Sequence, residues 1–389
     1  MRVLLLHNRY RAAGGEERAV AAIAALLAAR GHTVELIERF SEQTSRRRAA
    51  QGLVLGGVQP GEVAAAVRRM RADVVHAHNL HPLFGWRALA AARAAGARTV
   101  VHLHNFRLFC AIAVAYRDGA PCFRCRGAST IAGVRHRCRG SLAESIAYAA
   151  GLHRQQPRLL ANADRLVVVS EATGARLRDL GLARDRASVL VNFVPAGGFA
   201  KRSSADRGTY ALAAGRLVEY KGFDTAIAAA RAASVPLVVA GDGPDEARLR
   251  SLAAGGEVRF TGWLANDELA ALRAGAGAVL VPSRWEEPCP YVMLDAIAAG
   301  VPVLASDRGG LPELVPRDGV LGADDRDAWA SALRELWRAP AVRRERGEEA
   351  LGLARRVASE ERYYERLMEV YGREAPDASA HRGGLPDGC

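Results

Sequence analysis

Two acidic side chains lie eight positions apart in the second half of the chain, Glu287 in a proline-rich loop and Asp295 in the segment that follows. An apolar strand ends at Pro282, and the pattern predicts a helix from about Tyr291 to Ala299. Eight steps cover a little over two helical turns, so an acid at the helix entrance and one within it can share a face. Backbone N–H groups at a helix start also favour anions. The stretch predicts a pocket for a ligand that is both sugar and phosphate.

Two cations flank a second loop, which follows a predicted strand over 210–214. Arg216 and Lys221 lie at the carboxyl end of that strand, where they can converge on a diphosphate. Only two of the 54 basic residues are lysines, Lys201 and Lys221. A lysine kept where arginine fills nearly every other basic position indicates a site that needs a compact ammonium. Lys201 falls in a predicted linker, which weakens that argument, and solvated surface cations are the alternative.

The first half of the chain offers its own candidates near strand ends. A predicted strand over 99–103 leads directly to His104, where the ligand-contacting residues of parallel α/β folds cluster. Gly14 and Gly15 open a helix after the first strand and let the backbone approach a ligand closely. The residues alone also fit a core histidine and a plain turn, so neither feature is specific by itself.

Four cysteines, Cys110, Cys122, Cys125 and Cys138, lie in an insert at about 106–140 that interrupts the alternation of strands and helices. A Cys-x2-Cys pair can place two thiolates on one metal ion, and a polar insert without its own core can be held by that metal. Structural zinc is the first hypothesis and an iron–sulfur cluster the second. Disulfides are the chief alternative, although a cytosolic location argues against them.

The elements that must position these residues repeat one pattern twice. Each half begins with a strand–helix–strand series, which predicts doubly wound parallel sheets with ligand groups outside the carboxyl ends of the strands. A Gly- and Ser-rich linker separates the halves. We expect a first Rossmann-like domain over 1–197, a linker over 198–208, a second Rossmann-like domain over 209–358, a crossing helix over 359–372 and a disordered tail over 373–389.

Two shorter segments carry weaker predictions. Residues 41–60 are polar and Arg-rich, which favours a mobile loop before a helix that begins at Pro60. An Asp-x-Asp sequence opens a predicted helix at Asp325, where a helix cap explains it better than a metal site does.

Charge is distributed unevenly along the 389 residues. The net charge is +12, made of +16 over residues 1–200 and −4 over the remainder. Such an imbalance indicates that the first half meets an acidic partner: a phospholipid surface, a lipid-phosphate acceptor or an anionic glycan. The solvated surface of a protein from an Arg-rich proteome explains it equally well. Nucleic acid is not expected, because the sequence lacks its binding modules and any basic–aromatic stripe.

The apolar runs of the sequence are too short to cross a membrane, and the first strand is too short for a signal peptide. We therefore expect a cytoplasmic protein, and the basic first half allows peripheral contact with the inner membrane face.

The stretch from Glu286 to Ala296 resembles the Glu-x7-Glu signature of retaining GT-B glycosyltransferases of family 4, usually written Glu-Glu-Pro-Phe-Gly-x-x-x-x-Glu-Ala. Here it reads Glu-Glu-Pro-Cys-Pro-Tyr-Val-Met-Leu-Asp-Ala. The other motifs of the family follow in the correct order from the glycine pair at 14–15 to Glu313. The four-cysteine insert resembles that of a subgroup with a Cys-rich insert in the N-terminal domain. It implies the GT-B fold: two Rossmann-like domains facing a cleft, with the C-terminal helix crossing back to the first.

The resemblance also implies a role for each candidate. Glu287 would hold hydroxyls of the donor sugar, Asp295 the ribose, and His104 would face the sugar from the opposite domain. Arg216 and Lys221 would neutralise the leaving diphosphate, in a front-face substitution that requires no cofactor for catalysis. The implied donor-binding set is Gly14, Gly15, Arg216, Lys221, Leu264, Glu287, Pro290, Tyr291, Val292 and Asp295.

Two departures from the signature affect the donor pocket. Asp295 is one methylene shorter than the usual Glu, and Cys289-Pro290 replaces Phe-Gly, which stiffens the loop and removes one backbone N–H. The nucleotide (UDP, GDP or dTDP), the sugar and the acceptor therefore stay open. The alternatives are a nucleotide-sugar epimerase or a phosphorylase on the same fold, or a non-catalytic glycan-binding partner subunit.

Overall fold

The computed structural model describes residues 1–10, 14–181 and 187–372, and the predicted disordered tail over 373–389 lies outside that part. In the first lobe a six-stranded, all-parallel sheet has the order β2-β1-β3-β4-β7-β8, and β5 and β6 form a separate hairpin. The strands are β1 (Arg2–Arg9), β2 (Thr33–Phe40), β3 (Val74–Ala77), β4 (Arg98–Leu103), β5 (Tyr116–Arg117), β6 (Ala120–Pro121), β7 (Arg165–Val168) and β8 (Ala187–Val189).

Seven helices of the first lobe lie within the described residues. They are α1 (Gly15–Ala29), α2 (Arg46–Leu55), α3 (Pro60–Met70), α4 (Gly85–Ala94), α5 (Ile131–Arg135), α6 (Leu142–Ala161) and α7 (Glu171–Asp179).

The second lobe repeats the plan with a six-stranded parallel sheet in the order β11-β10-β9-β12-β13-β14. Its strands are β9 (Tyr210–Ala214), β10 (Leu237–Ala240), β11 (Val258–Gly262), β12 (Ala276–Val281), β13 (Val303–Ser306) and β14 (Val320–Leu321). The remaining helices are α8 (Phe223–Ala233), α9 (Glu246–Ala253), α10 (Asn266–Ala274), α11 (Tyr291–Ala298), α12 (Arg326–Arg338), α13 (Pro340–Val357) and α14 (Glu360–Tyr371).

The strand orders place two crevices where ligands of such folds bind. The order reverses between β1 and β3 in the first sheet and between β9 and β12 in the second. Loops leave a doubly wound sheet in opposite directions at such a point and open a crevice beyond the carboxyl ends of the strands. The two domains predicted from the alternation of strands and helices therefore each present one crevice.

Helix α14 returns from the second lobe and completes the core of the first. Tyr363 and Leu367 are buried in the same hydrophobic cluster as Val3 and Leu5 of β1. Burying such side chains contributes about 1.5–3 kcal/mol each. The predicted crossing helix is confirmed.

Capping residues mark the start of a helix in two segments, residues 41–60 and the segment that begins at Asp325. The expected loop at 41–60 contains α2, which begins at the Ser45 cap and ends at Gly56 in the left-handed conformation. The helix was not predicted because its Arg-rich composition indicates a loop. The signals that mark its two ends are single residues. Asp325 caps α12 by accepting a hydrogen bond from the Ala328 N–H, as the sequence predicted.

No helix in the described ranges has both the length and the apolar character needed to cross a bilayer.

Candidate active site

The loops after β9 and β12 lie against each other at the switch point of the second sheet. Gly222 ends the first of these loops with φ 70°, and a Cβ there would collide with the carbonyl oxygen of Pro282. Gly309 has φ 57°, and a Cβ there would collide with the backbone of Glu287. Both glycines are needed for close approach of backbone to backbone. They hold the loop that carries Glu287 in a fixed position.

Glu287 is a buried carboxylate with a fixed set of donors. Its Oε1 lies 2.6 Å from Lys221 Nζ, and the residue is 3% exposed. Ser283 Oγ donates to Oε2 at 3.0 Å, and Trp285 Nε1 donates to the same oxygen. A carboxylate oxygen accepts two hydrogen bonds, so Oε1 keeps one acceptor position for a ligand hydroxyl. The structure therefore brings together Glu287 and Lys221, two residues that the sequence placed in separate motifs.

Arg216 lies in the same loop as Lys221 and is exposed at the carboxyl end of β9. The neighbouring Arg284 is instead bound to Asp224, with guanidinium-to-carboxylate distances of 2.8 and 2.9 Å. A guanidinium held in this way on a carboxylate is not available to a phosphate. Within the described residues, Arg216 and Lys221 have no such bidentate carboxylate partner.

Asp295 points at the first lobe. Arg18 of α1 donates to both of its carboxylate oxygens at 2.7 Å, and Arg273 of α10 donates to one at 3.2 Å. Burial alone would lower the pKa of Arg18, but hydrogen bonds and Coulombic attraction from Asp295 raise it above its ordinary value. The guanidinium carbon of Arg18 also lies 4.2 Å from the centre of the Tyr291 ring. Arg18 was missed from the sequence because its partner is 277 positions away.

The glycine pair lies at the same junction between the lobes. A Cβ on Gly15 would meet the Tyr291 ring at 3.4 Å, so α1 begins directly against α11. The Gly14 N–H donates to the carboxylate of Glu17 at 2.8 Å, and this bond fixes the helix start. The structure thus places Gly14 and Gly15 beside Tyr291 at the cleft.

His104 enters from the first lobe, where it follows β4. Its Nε2 lies 3.0 Å from Nδ1 of His78. Burial, together with neighbouring histidines, lowers the pKa of His104 to about 3, so its imidazole is neutral at physiological pH. A neutral imidazole with one nitrogen engaged presents its other nitrogen to a ligand.

A polar pocket beside His104 contains residues that the sequence did not single out. Glu16 accepts a hydrogen bond from the Tyr10 hydroxyl at 2.8 Å and from Asn105 Nδ2 at 3.3 Å. Burial raises the pKa of Glu16, and Arg107 lines the same pocket. The signal that could have found it was the position of Glu16 next to the glycine pair.

The remaining donor candidates line the second lobe's side of the cleft. Pro290 precedes α11, and its carbonyl accepts from the N–H groups of Met293 and Leu294 at 3.1 and 3.2 Å. Val292 and Leu264 are partly buried against the core of the second lobe. The structure therefore places Pro290 and Val292 at the same helix start as Tyr291, and Leu264 after β11.

The four cysteines of the insert are all partly buried, free thiols. Burial first, and the nearby thiols of Cys110, Cys138 and Cys122 second, raise the pKa of Cys125 to about 11. Arg117 Nη1 lies 3.6 Å from Cys138 Sγ. Among the described residues the thiols do not form a group of three sulfur atoms within 4.8 Å of one another. The metal hypothesis for the insert stays a prediction.

Polar contacts close the cleft around the candidate site. The Glu313 carboxylate accepts from the N–H groups of Glu171 and Ala172 at 3.0 and 2.7 Å, which caps the start of α7 from the other lobe. Glu286 lies 3.3 Å from Arg176 of that helix. A carboxylate at a helix N-terminus is stabilising. The structure is thus a closed arrangement in which Glu287 is shielded from water.

Comparisons with known proteins agree across both lobes. A family model described as Glycosyltransferase Family 4 matches residues 13–196, and one described as Glycosyl transferases group 1 matches residues 208–339. The crystal structure of Anabaena Alr3699/HepE in complex with UDP matches with a TM-score of 0.66, covers 95% of this chain and 99% of that one, and is 17% identical. At that identity the likeness shows the fold.

Two curated relatives match shorter stretches. The D-inositol 3-phosphate glycosyltransferase of Actinosynnema mirum is 34% identical over 250 residues, 56% of this chain and 59% of that protein. The GDP-mannose-dependent alpha-(1-6)-phosphatidylinositol monomannoside mannosyltransferase of Mycobacterium tuberculosis is 40% identical over 139 residues, 31% of this chain and 36% of that protein. The chain spans less than two thirds of the length of either relative. With consecutive family models on both lobes and a GT-B arrangement of sheets, the chain belongs to the family 4 type of GT-B glycosyltransferases.

Proposed function

We propose that this chain is a retaining glycosyltransferase that moves a sugar from a nucleoside diphosphate sugar to an acceptor hydroxyl. The observation that carries the proposal is the part-buried ion pair between Glu287 and Lys221 at the switch point of the second sheet, with the exposed Arg216 in the same loop as Lys221. A structural neighbour solved with UDP and a relative named for GDP-mannose support a donor of this class.

The cations act on the leaving group. Lys221 and Arg216 would bind the diphosphate and stabilise the negative charge that grows on it as the glycosidic bond breaks. Such fixed charges act most strongly in a site from which water is excluded. The closed cleft around Glu287 provides that environment.

The acids act on the sugar and the ribose. Glu287 would accept from a sugar hydroxyl through the lone pair that Lys221 leaves on Oε1, and so orient the sugar above the diphosphate. Asp295 would hold the ribose. Because Arg18 occupies both oxygens of Asp295, the ribose has to share that carboxylate with Arg18 or displace it.

The acceptor would approach from the first lobe. Its hydroxyl attacks the same face of the sugar that the diphosphate leaves, with its proton passing to a phosphate oxygen, and His104 faces the sugar from this side. The net charge of +16 over residues 1–200 favours an anionic or lipid-linked acceptor.

Nucleotide release from a panel of donors tests the proposal. The protein is incubated with UDP-, GDP-, dTDP- and ADP-sugars, with and without candidate acceptors, and the free nucleotide is measured. We expect turnover of one donor class and a loss of about 100-fold or more in Glu287→Gln. Glu349→Gln, an exposed acid far from these loops in sequence, is the matched control and should behave as wild type.

Three outcomes separate this proposal from its alternatives. Interconversion of the donor sugar without transfer indicates an epimerase, and release of a sugar 1-phosphate indicates a phosphorylase. Binding of glycan with no effect of any donor indicates a non-catalytic partner subunit. Retention is tested by the anomeric configuration of the product in an NMR spectrum, and an inverted product contradicts it.

The cysteine insert carries a second, structural proposal. We propose that Cys110, Cys122, Cys125 and Cys138 hold one structural zinc ion that orders the insert. The Cys-x2-Cys spacing of Cys122 and Cys125 and the position of all four cysteines in one insert support it. In metal analysis under reducing conditions, Cys125→Ser should contain about one equivalent of zinc less than the wild-type protein. A mass that shows two disulfides in fresh protein contradicts the proposal.

A further inference from the structure

Five histidines gather beneath the cleft around the inner strands of the first sheet, and only His104 has a place in the proposed reaction. Successive rings stack: the centroids of His76 and His78 lie 4.5 Å apart, and those of His102 and His104 lie 4.1 Å apart. His7 of β1 meets His78 edge to face at 6.4 Å. The inner positions of a parallel sheet are ordinarily filled by aliphatic side chains. The polar cluster therefore requires a physical reason.

Most of these imidazoles have nitrogens without partners. His76, His78 and His102 are 0%, 3% and 1% exposed. Within the described residues, no hydrogen-bond partner is present for Nε2 of His76, Nε2 of His78 or either nitrogen of His102. Burying a polar atom without a partner costs stability. A ligand that accepts these lone pairs would remove that cost.

Nitrogens of three of these rings converge. One ligand atom from each of His76, His78 and His102 lies within 4.8 Å of the other two. In two of the rings Nδ1 is held and Nε2 has no partner among the described residues: Tyr371 OH lies 2.8 Å from Nδ1 of His76, and His104 Nε2 lies 3.0 Å from Nδ1 of His78. Metal-binding histidines typically have their second nitrogen fixed in this way.

We propose that His76, His78 and His102 form a site for a divalent late first-row transition metal ion, with zinc as its physiological occupant. Three imidazoles without a carboxylate ligand suit zinc, nickel or copper and do not suit magnesium or calcium. The Glu17 carboxylate, 3.5 Å from His7 Nε2, supplies negative charge to the same cluster. The proposal does not depend on the glycosyltransferase activity.

The geometry allows entry and indicates what the ion does. Zinc–nitrogen bonds are about 2.0–2.1 Å long. The three nitrogens lie within 4.8 Å of one another and would draw closer together by rotation of their rings. A cavity at the cleft is lined by His78, His102 and His104 and gives access to the cluster. The bound ion would join β3 to β4, and through Tyr371 it would fix α14, the helix that crosses from the second lobe.

Cobalt binding to the full-length protein tests the site. The protein is stripped of metal with a chelator, kept reduced and titrated with Co²⁺. This ion distinguishes the two kinds of site, because thiolate ligands give a strong charge-transfer band that imidazole ligands do not. We expect one equivalent of Co²⁺ to bind with ligand-field bands and no charge-transfer band. Any ion bound by the cysteine insert comes in addition. Zinc in large excess over its dissociation constant should raise Tm by about 4 °C or more.

Two variants decide the assignment. His102→Phe keeps a ring of similar shape and should bind one equivalent less than wild type and show a smaller zinc-dependent rise in Tm. His153→Phe, at an exposed histidine of α6, should match wild type in both. The same stoichiometry in His102→Phe as in wild type overturns the proposal. If His102→Phe does not fold, X-ray absorption of zinc bound to Cys125→Ser decides: a nitrogen-only shell supports the site, and a sulfur-containing shell or no bound zinc overturns it.

Discussion

The two lobes build their halves of the cleft in opposite ways. In the second lobe, the working groups come from short loops: Arg216 and Lys221 share one loop, and Ser283 and Glu287 share another. In the first lobe, His78 and His104 follow two different strands and are buried against each other. The charges that we propose bind the diphosphate follow a local spacing, whereas the histidines of the first lobe are brought together by the fold.

Lowering the pH should destabilise the first lobe more than the second, and this is the largest difference that we expect between them. The reason is that the strongly buried histidines lie in the first lobe. Burial lowers the pKa of His76 and His81 from 6.5 to about 3. A folded-state pKa below the unfolded one leaves stability intact above pH 6.5 and removes it as pH falls toward 3. At pH 5 each histidine should cost about 2 kcal/mol of unfolding free energy.

Denaturant unfolding at pH 7 and pH 5, with a chelator present, measures this loss. His81→Gln should reduce the difference between the two pH values, and hydrogen exchange should show the first lobe opening first. Equal stability at both pH values, or first opening in the second lobe, would break the comparison.

The two lysines provide a matched test of the donor site. Lys221→Met removes the ammonium that contacts Glu287 and should lower kcat by about 100- to 1,000-fold, because it also stabilises charge on the leaving diphosphate. Lys201→Met, at an exposed residue, should leave kcat unchanged. Steady-state nucleotide release measures both, and equal rates in the two variants would contradict the role of Lys221.

The ion pair between Arg18 and Asp295 joins the lobes and should have an intermediate effect. Arg18→Ala frees the carboxylate that we propose binds the ribose, and a partly exposed pair is worth about 1 kcal/mol. We therefore expect KM for the donor to fall about fivefold. Asp295→Asn should raise the same KM. A higher donor KM in Arg18→Ala would show that Arg18 helps to hold the donor rather than competing with it.

The basic surface of the first lobe should have the smallest effect. Arg46, Arg47 and Arg48 are exposed on α2, and replacing all three by Ser should raise KM for an anionic acceptor by about two- to fivefold, with kcat unchanged. The salt dependence of that KM should weaken. Arg344→Ser, an exposed change in the second lobe, is the control. An unchanged acceptor KM with unchanged salt dependence would make the basic charge incidental.

Sequence alone predicted the fold and the donor motifs because both rest on local signals. Strand–helix alternation defined the two sheets, and Glu287, Arg216 and Lys221 occur at strand ends with a recognisable spacing. Helix α2 was missed because its charged composition masked a single capping serine. The roles of these residues remain proposals.

Long-range contacts could not be predicted. Arg18 finds Asp295 across 277 positions, and Tyr371 finds His76 across 295. The histidines are separated in the sequence, and the register of β3 and β4 brings their rings together. Only the packed structure shows that these groups share one place.

Hydrogen exchange with and without a nucleoside diphosphate tests the division between the lobes most directly. Peptides covering 215–222 and 283–295 should gain protection on addition of the preferred UDP, GDP or dTDP, while peptides of the first sheet change little. Arg216→Gln combined with Lys221→Met should abolish that protection. Protection centred on His104 and the first sheet, with none in the loops of the second lobe, would contradict the account.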